Sequence, residues 1–241
     1  MTTLAAAGGW RPQLLRCGTI PMDARLLAPG GELGDGTVGL PSNVLLLLGE
    51  AGTVLIDAGA GPLTDEWPGS SADLLGAMAG AGCEAAAVDL VVLTHLDFDH
   101  CGGCLELPDA RLAVPAAAVA AGRMTDRMAR AREQGRLQLI EDGGSPAAGI
   151  VVRDAPGHRL GHSVVWVGES LLHAADVIHH AAHVEHPSWD REFDSDQAQA
   201  LDTRRRLLDQ LADRPVTVVA SHIDEPGRIE RDGEGLRWSP S

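Results

Sequence analysis

Apolar runs of strand length recur along the chain, each set off by glycine, proline or charged residues. Residues 43–48 and 53–56 are two such runs, parted by Gly49-Glu50-Ala51-Gly52, and they read as a hairpin of buried strands. An earlier strand is expected near 13–17, and 88–94 forms another that leads directly into His95. Shorter strands are expected at 111–114, 149–153, 164–167, 171–173 and 216–220. Helical periodicity lies between them. It shows at 72–81, where Leu74, Leu75 and Met78 share a face, and over 116–134, where Gly122 interrupts. It is clearest at 196–213, where Ala198, Leu201, Leu208 and Leu211 line one side. Strand-rich blocks followed by helices, with no long linker between them, predict an α+β fold: two sheets face to face with helices outside, a four-layer αββα sandwich. Residues 1–40 are turn-rich, with Pro21-Met22-Asp23 and Pro29-Gly30-Gly31. They are expected to be an N-terminal strand and loop extension of one domain spanning 1–241.

Composition narrows the function. The net charge of -15 opposes a nucleic-acid groove or an anionic membrane surface, both of which want the opposite sign. The one dense basic run, Arg204-Arg205-Arg206, falls in the helical pattern beside Asp202 and Asp209 and reads as solvated helix surface. The longest strongly apolar run, 44–48, is far below a membrane span. The start of the chain lacks a basic segment and a long apolar stretch, so cytoplasmic residence is the expectation. Four cysteines, Cys17, Cys83, Cys101 and Cys104, are too few for a disulfide framework. Cys101 and Cys104 have CxxC spacing without a second such pair and read as small buried groups.

Histidine and aspartate placement carries the chemistry. His95, Asp97, Asp99 and His100 lie within six residues where a strand ends, followed by Gly102-Gly103, which permits tight turning. Imidazole and carboxylate together suit zinc, manganese or iron. More of these groups lie beside later strands: His158 and His162 before 164–167, Asp176 after 171–173, His222 after 216–220. Repeated placement at strand ends is hard to obtain from surface decoration.

The segment Thr94-His95-Leu96-Asp97-Phe98-Asp99-His100-Cys101-Gly102-Gly103 resembles the metallo-β-lactamase superfamily signature, His-x-His-x-Asp-His followed by Gly. Ile56-Asp57-Ala58-Gly59, Pro156-Gly157-His158 through His162, Leu171 through Asp176, and Ala220-Ser221-His222 resemble its other motifs, in the same order over roughly 40–230. The stretch from His186-Pro187-Ser188-Trp189 to Leu208 looks most similar to the branch of acyl-homoserine lactonases and methyl-parathion-hydrolase-like enzymes. The resemblance implies a dinuclear centre. His95 and His162 would hold the first metal, and His162 is preferred over His158 because it directly precedes the strand. Asp99, His100 and His222 would hold the second metal, and Asp176 would bridge the two. Asp57 would orient the ligand loop without touching metal. Asp97 stands where the family usually has histidine. It ligates, or misses a weak first site, or marks a centre turned from hydrolysis to redox work. Zn²⁺ is the expected ion, with Mn²⁺ or Fe²⁺ as alternatives because of Asp97.

The implied activity is hydrolysis of a small carboxylic ester or lactone by a metal-bridging water, with Asp99 as ligand and catalytic proton acceptor. Organophosphate or aryl-ester hydrolysis and a glyoxalase II-like thioesterase are alternatives; a non-hydrolytic or iron-dependent redox protein is the alternative of another class. The lactonase branch often adds a tyrosine hydroxyl at the substrate carbonyl, and this chain has no Tyr. Trp189, Phe193 and His180 are candidates for the pocket; His179, His183 and His186 could shape its mouth or form a polar loop. A small-molecule partner is expected, with no nucleic acid and no membrane, and a homodimer is left open.

Overall fold

The computed structural model describes residues 1–122, 126–189 and 192–241. Two sheets carry the fold. The first has eight strands. Its main path runs Thr2–Thr3, Trp10–Asp23, Thr37–Gly49, Gly52–Ile56, Leu90–Val92, Arg111–Pro115 and Leu137–Ile140, with Ser71–Ala72 paired to Trp10–Asp23 off that path. The second has six, in the order Gly235–Pro240, Gly227–Asp232, Thr217–Val219, Leu171–His173, Ser163–Val167, Ile150–Asp154. The first is antiparallel through Gly52–Ile56 and parallel from there on.

The layers follow from which side chains each sheet face buries. Trp10, Leu45, Leu47, Ile56 and Val92 of the first sheet meet Ile150, Val152, Val165 and Leu171 of the second in one core. The opposite face of the first sheet, with Leu46, Leu55 and Val91, packs on Leu74, Met78 and Met128 of its helices. The opposite face of the second packs Leu172 and Val218 on Leu208 and Leu211. This is the expected αββα sandwich. The segments 44–47 and 54–56 are apolar throughout because both of their faces are covered.

Most elements lie within a few residues of their sequence-based positions. The helix Leu74–Gly80 is capped by Asp73, whose carboxylate accepts from the Gly76 N–H, and Gln197–Leu211 by Asp196 in the same way. The stretch 116–134 becomes two helices, Ala116–Ala120 and Asp126–Glu133. The expected extension differs most. Trp10–Asp23 pairs with Thr37–Gly49 from Trp10↔Gly49 to Asp23↔Thr37, so residues 1–40 supply much of the first sheet. Pro12, Pro21 and Pro41 lie within these strands and mask them in the sequence, since proline ordinarily argues against a strand interior. The final hairpin, Gly227–Asp232 with Gly235–Pro240, was likewise not signalled.

Candidate metal centre

The two sheets present their loops at one edge, and each candidate ligand leaves a strand there. His95 follows Leu90–Val92 by a short link. The segment from His95 to His100 is pressed against the turn after Gly52–Ile56. The Ala58 N–H donates to His100 O, and the Gly103 N–H to Gly59 O. Gly102 and Gly103 permit this approach: a Cβ on Gly102 would lie 1.8 Å from Ala60 O, and one on Gly103 2.2 Å from Ala58 O. Asp57, at a left-handed φ of 62°, accepts from Thr94 N–H at 2.8 Å and Thr94 Oγ1 at 2.9 Å, and lies 2.8 Å from His100 Nδ1. Ala175, just before Asp176, also takes a left-handed φ, 49°. Backbone strain of this kind persists where surrounding structure over-determines it.

The side chains converge on Asp176. Its Oδ2 is 3.2 Å from His100 Nε2, 3.3 Å from His158 Nε2, 3.3 Å from His179 Nε2 and 3.6 Å from His95 Nε2; its Oδ1 is 3.5 Å from His222 Nε2. Asp99 Oδ2 lies 3.4 Å from His222 Nε2 and 3.6 Å from His100 Nε2. Asp97 Oδ2 lies 3.9 Å from His95 Nε2 and 3.8 Å from His158 Nε2, and only 2.7 Å from the Nε of Arg159. The groups His95–Asp97–His158, His95–His100–Asp176, Asp99–His100–His222 and His158–Asp176–His179 each bring their donor atoms within 4.8 Å of one another.

The donor set fits divalent cations. The Nε2 atoms of His95, His100 and His158 and the Oδ1 of Asp176 are buried without a well-aligned hydrogen-bond partner, an arrangement costly unless something positive sits among them. The opposite ring nitrogens are all engaged. Nδ1 of His95 faces Thr94 Oγ1, that of His100 faces Asp57, that of His158 faces Asp194 Oδ1 at 3.2 Å, and that of His222 faces Pro41 O at 2.8 Å. Such outer partners hold the proton on Nδ1 and leave Nε2 as the lone pair for a metal.

His158 and His162 change places relative to expectation. His162 has both ring nitrogens committed to backbone: Nδ1 lies 2.9 Å from Ala155 O, and Nε2 accepts from the Asp176 N–H at 3.2 Å. It braces the segment that carries Asp176, while His158 faces the cluster. The strand-adjacent residue points into the sheet junction, and the residue one turn earlier on the loop reaches the open end. Gly157, at φ 126°, sets that turn; a Cβ there would lie 2.2 Å from Ala200 N.

Protonation follows the same geometry. Burial pushes His95 and His158 well below the ordinary histidine value, and His162 down to about 4. Burial also opposes charge on His100, but Asp176, Asp99 and Asp57 outweigh it and raise its pKa well above the usual range. For Asp176, burial favours the neutral acid, yet His100, His222 and His179 hold it well below the usual carboxylate range. Burial raises Asp97 against the pull of Arg159.

Sequence reasoning left several supporting residues aside. Arg204 is not solvated surface: at 1% exposure its guanidinium donates to Val177 O, Pro187 O and Asp194 Oδ2, and Asp194 in turn faces His158. Arg205 and Arg206 are exposed, as expected, and Arg206 pairs with Asp202. Asn43 donates to Ala220 O and Ile223 O and so fixes the turn bearing His222. Among the pocket candidates, Phe193 lines the cleft over the cluster, together with Ile20, Met22, Leu40, Trp67 and Phe98. Trp189 stacks on His186 away from that lining, at 3.9 Å between ring centroids, and His180 lines an adjoining cleft with Trp238 that shares Leu40 and His222 with the first. Cys101 and Cys104 are buried, as expected, and neither is in a disulfide.

Comparison with known proteins agrees with this fold. The family model of the metallo-beta-lactamase superfamily matches residues 37–222. The chain belongs to the metallo-beta-lactamase superfamily. A probable metallo-hydrolase of Mycobacterium tuberculosis (strain ATCC 25618 / H37Rv) is 33% identical over 123 residues, covering 41% of this chain and 40% of that protein; one of Mycobacterium bovis matches equally. The match thus spans about two fifths of the length of these relatives. Among solved structures, AidC, a dizinc quorum-quenching lactonase, superposes with a TM-score of 0.85 at 22% identity, over 100% of this chain and 97% of that one. The hydrolase AbOPH gives 0.84 at 21%, over 100% and 97%. A probable metal-dependent hydrolase from Staphylococcus aureus gives 0.79 at 18%, over 98% and 99%. At these identities the likeness establishes the fold. Among the described residues, no helix is long and apolar enough to cross a membrane.

Proposed function

We propose that this protein is a metal-dependent hydrolase of small carboxylic esters or lactones. The observation that carries the reading is the ring of buried, unpartnered imidazole nitrogens around Asp176, opening on a small apolar cleft. His95, His158 and Asp176 would hold a first divalent cation, with Asp97 beside them. Asp99, His100, His222 and Asp176 would hold a second. When bound, such a pair supplies an activated water at neutral pH and polarises the scissile carbonyl. The chain's own groups do the rest. Ile20, Met22, Leu40, Trp67, Phe98 and Phe193 bind the apolar part of the substrate and keep bulk water away. Asp99, at the cleft wall, accepts the proton of the attacking water and returns it to the leaving alkoxide as the acyl C–O bond breaks. A lactone thereby opens to a hydroxy acid, and an ester yields acid and alcohol.

The three aromatic rings of the cleft favour a second reading on the same machinery, an aryl ester or aryl phosphotriester. The test is elemental analysis of the purified protein, followed by a panel of acyl lactones, alkyl esters, aryl esters and phosphotriesters with Zn²⁺, Mn²⁺ or Fe²⁺ restored. Two bound cations with metal-dependent turnover of a lactone or ester supports the proposal. Protein that takes up no cation, or hydrolysis indifferent to chelator, would overturn it.

A further inference from the structure

His179 has no part in the centre as just described, yet it sits inside it. It lies three residues after Asp176, and its side chain is 6% exposed. Its ring stacks parallel on His222, with centroids 5.5 Å apart and 8° between planes, and meets Phe193 at 5.2 Å. Its Nε2 is as near to Asp176 Oδ2 as that of His158, 3.3 Å in both cases.

Spacing places both His179 and Asp97 near the first cation: His158, Asp176 and His179 bring their donor atoms within 4.8 Å of one another, as do His95, Asp97 and His158, so the choice between them falls to Arg159 and to charge. Donors bound to a tetrahedral zinc at about 2.0–2.1 Å lie about 3.4 Å from one another. The contacts of Asp176 with His158, His179 and His95, at 3.3, 3.3 and 3.6 Å, match that value. Asp97 lies 3.9 and 3.8 Å from His95 and His158. The oxygen that would bind is also the one facing Arg159 Nε at 2.7 Å, and Arg159 is anchored by further donation to His158 O and Phe193 O. A cation on that oxygen would sit beside a fixed guanidinium. Charge points the same way. Three neutral imidazoles with a shared Asp176 leave the Asp97–Arg159 pair neutral, whereas ligation by Asp97 adds a second anionic donor and leaves Arg159 facing the metal.

We propose that His179 supplies the third nitrogen of the first cation site, with His95, His158 and Asp176, and that Arg159 holds Asp97 outside the coordination sphere. The inference rests on the two-cation reading above. An imidazole brought from the segment after Asp176 would restore a nitrogen-rich, zinc-selective site despite the carboxylate at position 97.

The experiment is zinc titration of metal-free protein, parent against His179→Ala and Asp97→Ala, with metal content by elemental analysis and the visible absorption of the Co²⁺-loaded forms. The parent should bind two ions. His179→Ala should retain the second ion and lose first-site affinity by more than about 100-fold, beyond what removal of an outer supporting residue costs, and its cobalt spectrum should change. Asp97→Ala should bind two ions with first-site affinity within about tenfold of the parent. The reverse ranking, or His179→Ala binding like the parent, overturns the inference and leaves the hydrolase reading intact. A parent that binds no metal overturns both. Nitrogen NMR of the unmutated protein gives an answer that does not depend on folding of a variant: the His179 Nε2 resonance should move as the first site fills, and an unmoved resonance at full loading refutes ligation.

Discussion

The two proposed cation positions differ in what supports them. The one formed by Asp99, His100 and His222 is supported by backbone and by one carboxylate. Pro41 O backs His222, Asp57 backs His100, and the glycine contact between 57–61 and 102–103 fixes the loop. The one around His95 and His158 leans on charged side chains. Asp194 and the buried Arg204 stand behind His158, and Arg159 grips Asp97. A centre supported by backbone is set by local chain geometry. A centre supported by a buried charge network depends on residues far away in sequence and fails if any one charge is left unpaired. The first position should therefore be the more variable in metal identity and the more easily lost.

Asp176, the proposed bridge, should show the largest effect. Asp176→Ala removes the carboxylate shared by both positions and should lower kcat/KM by at least about 1000-fold, roughly 4 kcal/mol of transition-state stabilisation. At least one cation should be missing by elemental analysis. Normal turnover with two ions bound would show that the positions do not share it. Next comes Arg204→Ala, which leaves Asp194 buried beside His158 without its cation. A loss of about 3–5 kcal/mol in denaturant unfolding is expected, with weakened binding at the first position and little change at the second. Arg206→Ala, two residues along the same helix, should stay within about 0.5 kcal/mol, because its partner Asp202 is exposed. Equal losses for the two arginines would contradict the network.

The same asymmetry explains what could be read from sequence. The candidates for the second position stand out in the sequence because they follow strand ends at short spacing, and Asp57 follows an apolar run directly. The sandwich was legible because strand segments covered on both faces, such as 44–47, have no polar residues to confuse the pattern. The first position was only half legible. His158 and His162 are both histidines beside a strand, and nothing local says which ring turns to the open end; Gly157 and its packing on Ala200 decide that. Arg204 looked like surface because a basic triplet in an amphipathic helix usually is, and its acceptors, Val177 O and Pro187 O, are distant backbone groups. The long strands through 10–23 and 37–49 were hidden by their prolines, which sequence patterns read as breaks.

The exchange of roles between His158 and His162 is tested by a milder substitution. His158→Ala should lose the first cation, while His162→Gln should keep both, since Gln can still donate to Ala155 O or accept from the Asp176 N–H. Losing one of two buried hydrogen bonds should cost His162→Gln about 1–3 kcal/mol. The pH dependence is more specific. Burial lowers the pKa of His162 to about 4, against an unperturbed value of 6.5, so between those values the unfolded chain binds a proton that the folded one refuses. Its contribution is therefore fully present above pH 6.5 and is lost as pH falls towards 4, with an upper bound of about 3 kcal/mol for a shift of that size. His173, also held near 4 by burial, acts in the same direction and is present in both proteins. Metal-free parent and His162→Gln should thus both lose stability on acidification from pH 6.5 to 4.5, the parent more steeply. Urea midpoints across that range measure the difference. Identical slopes would mean that His162 takes up its proton without penalty, and the brace beneath Asp176 would then have to be sought in another residue.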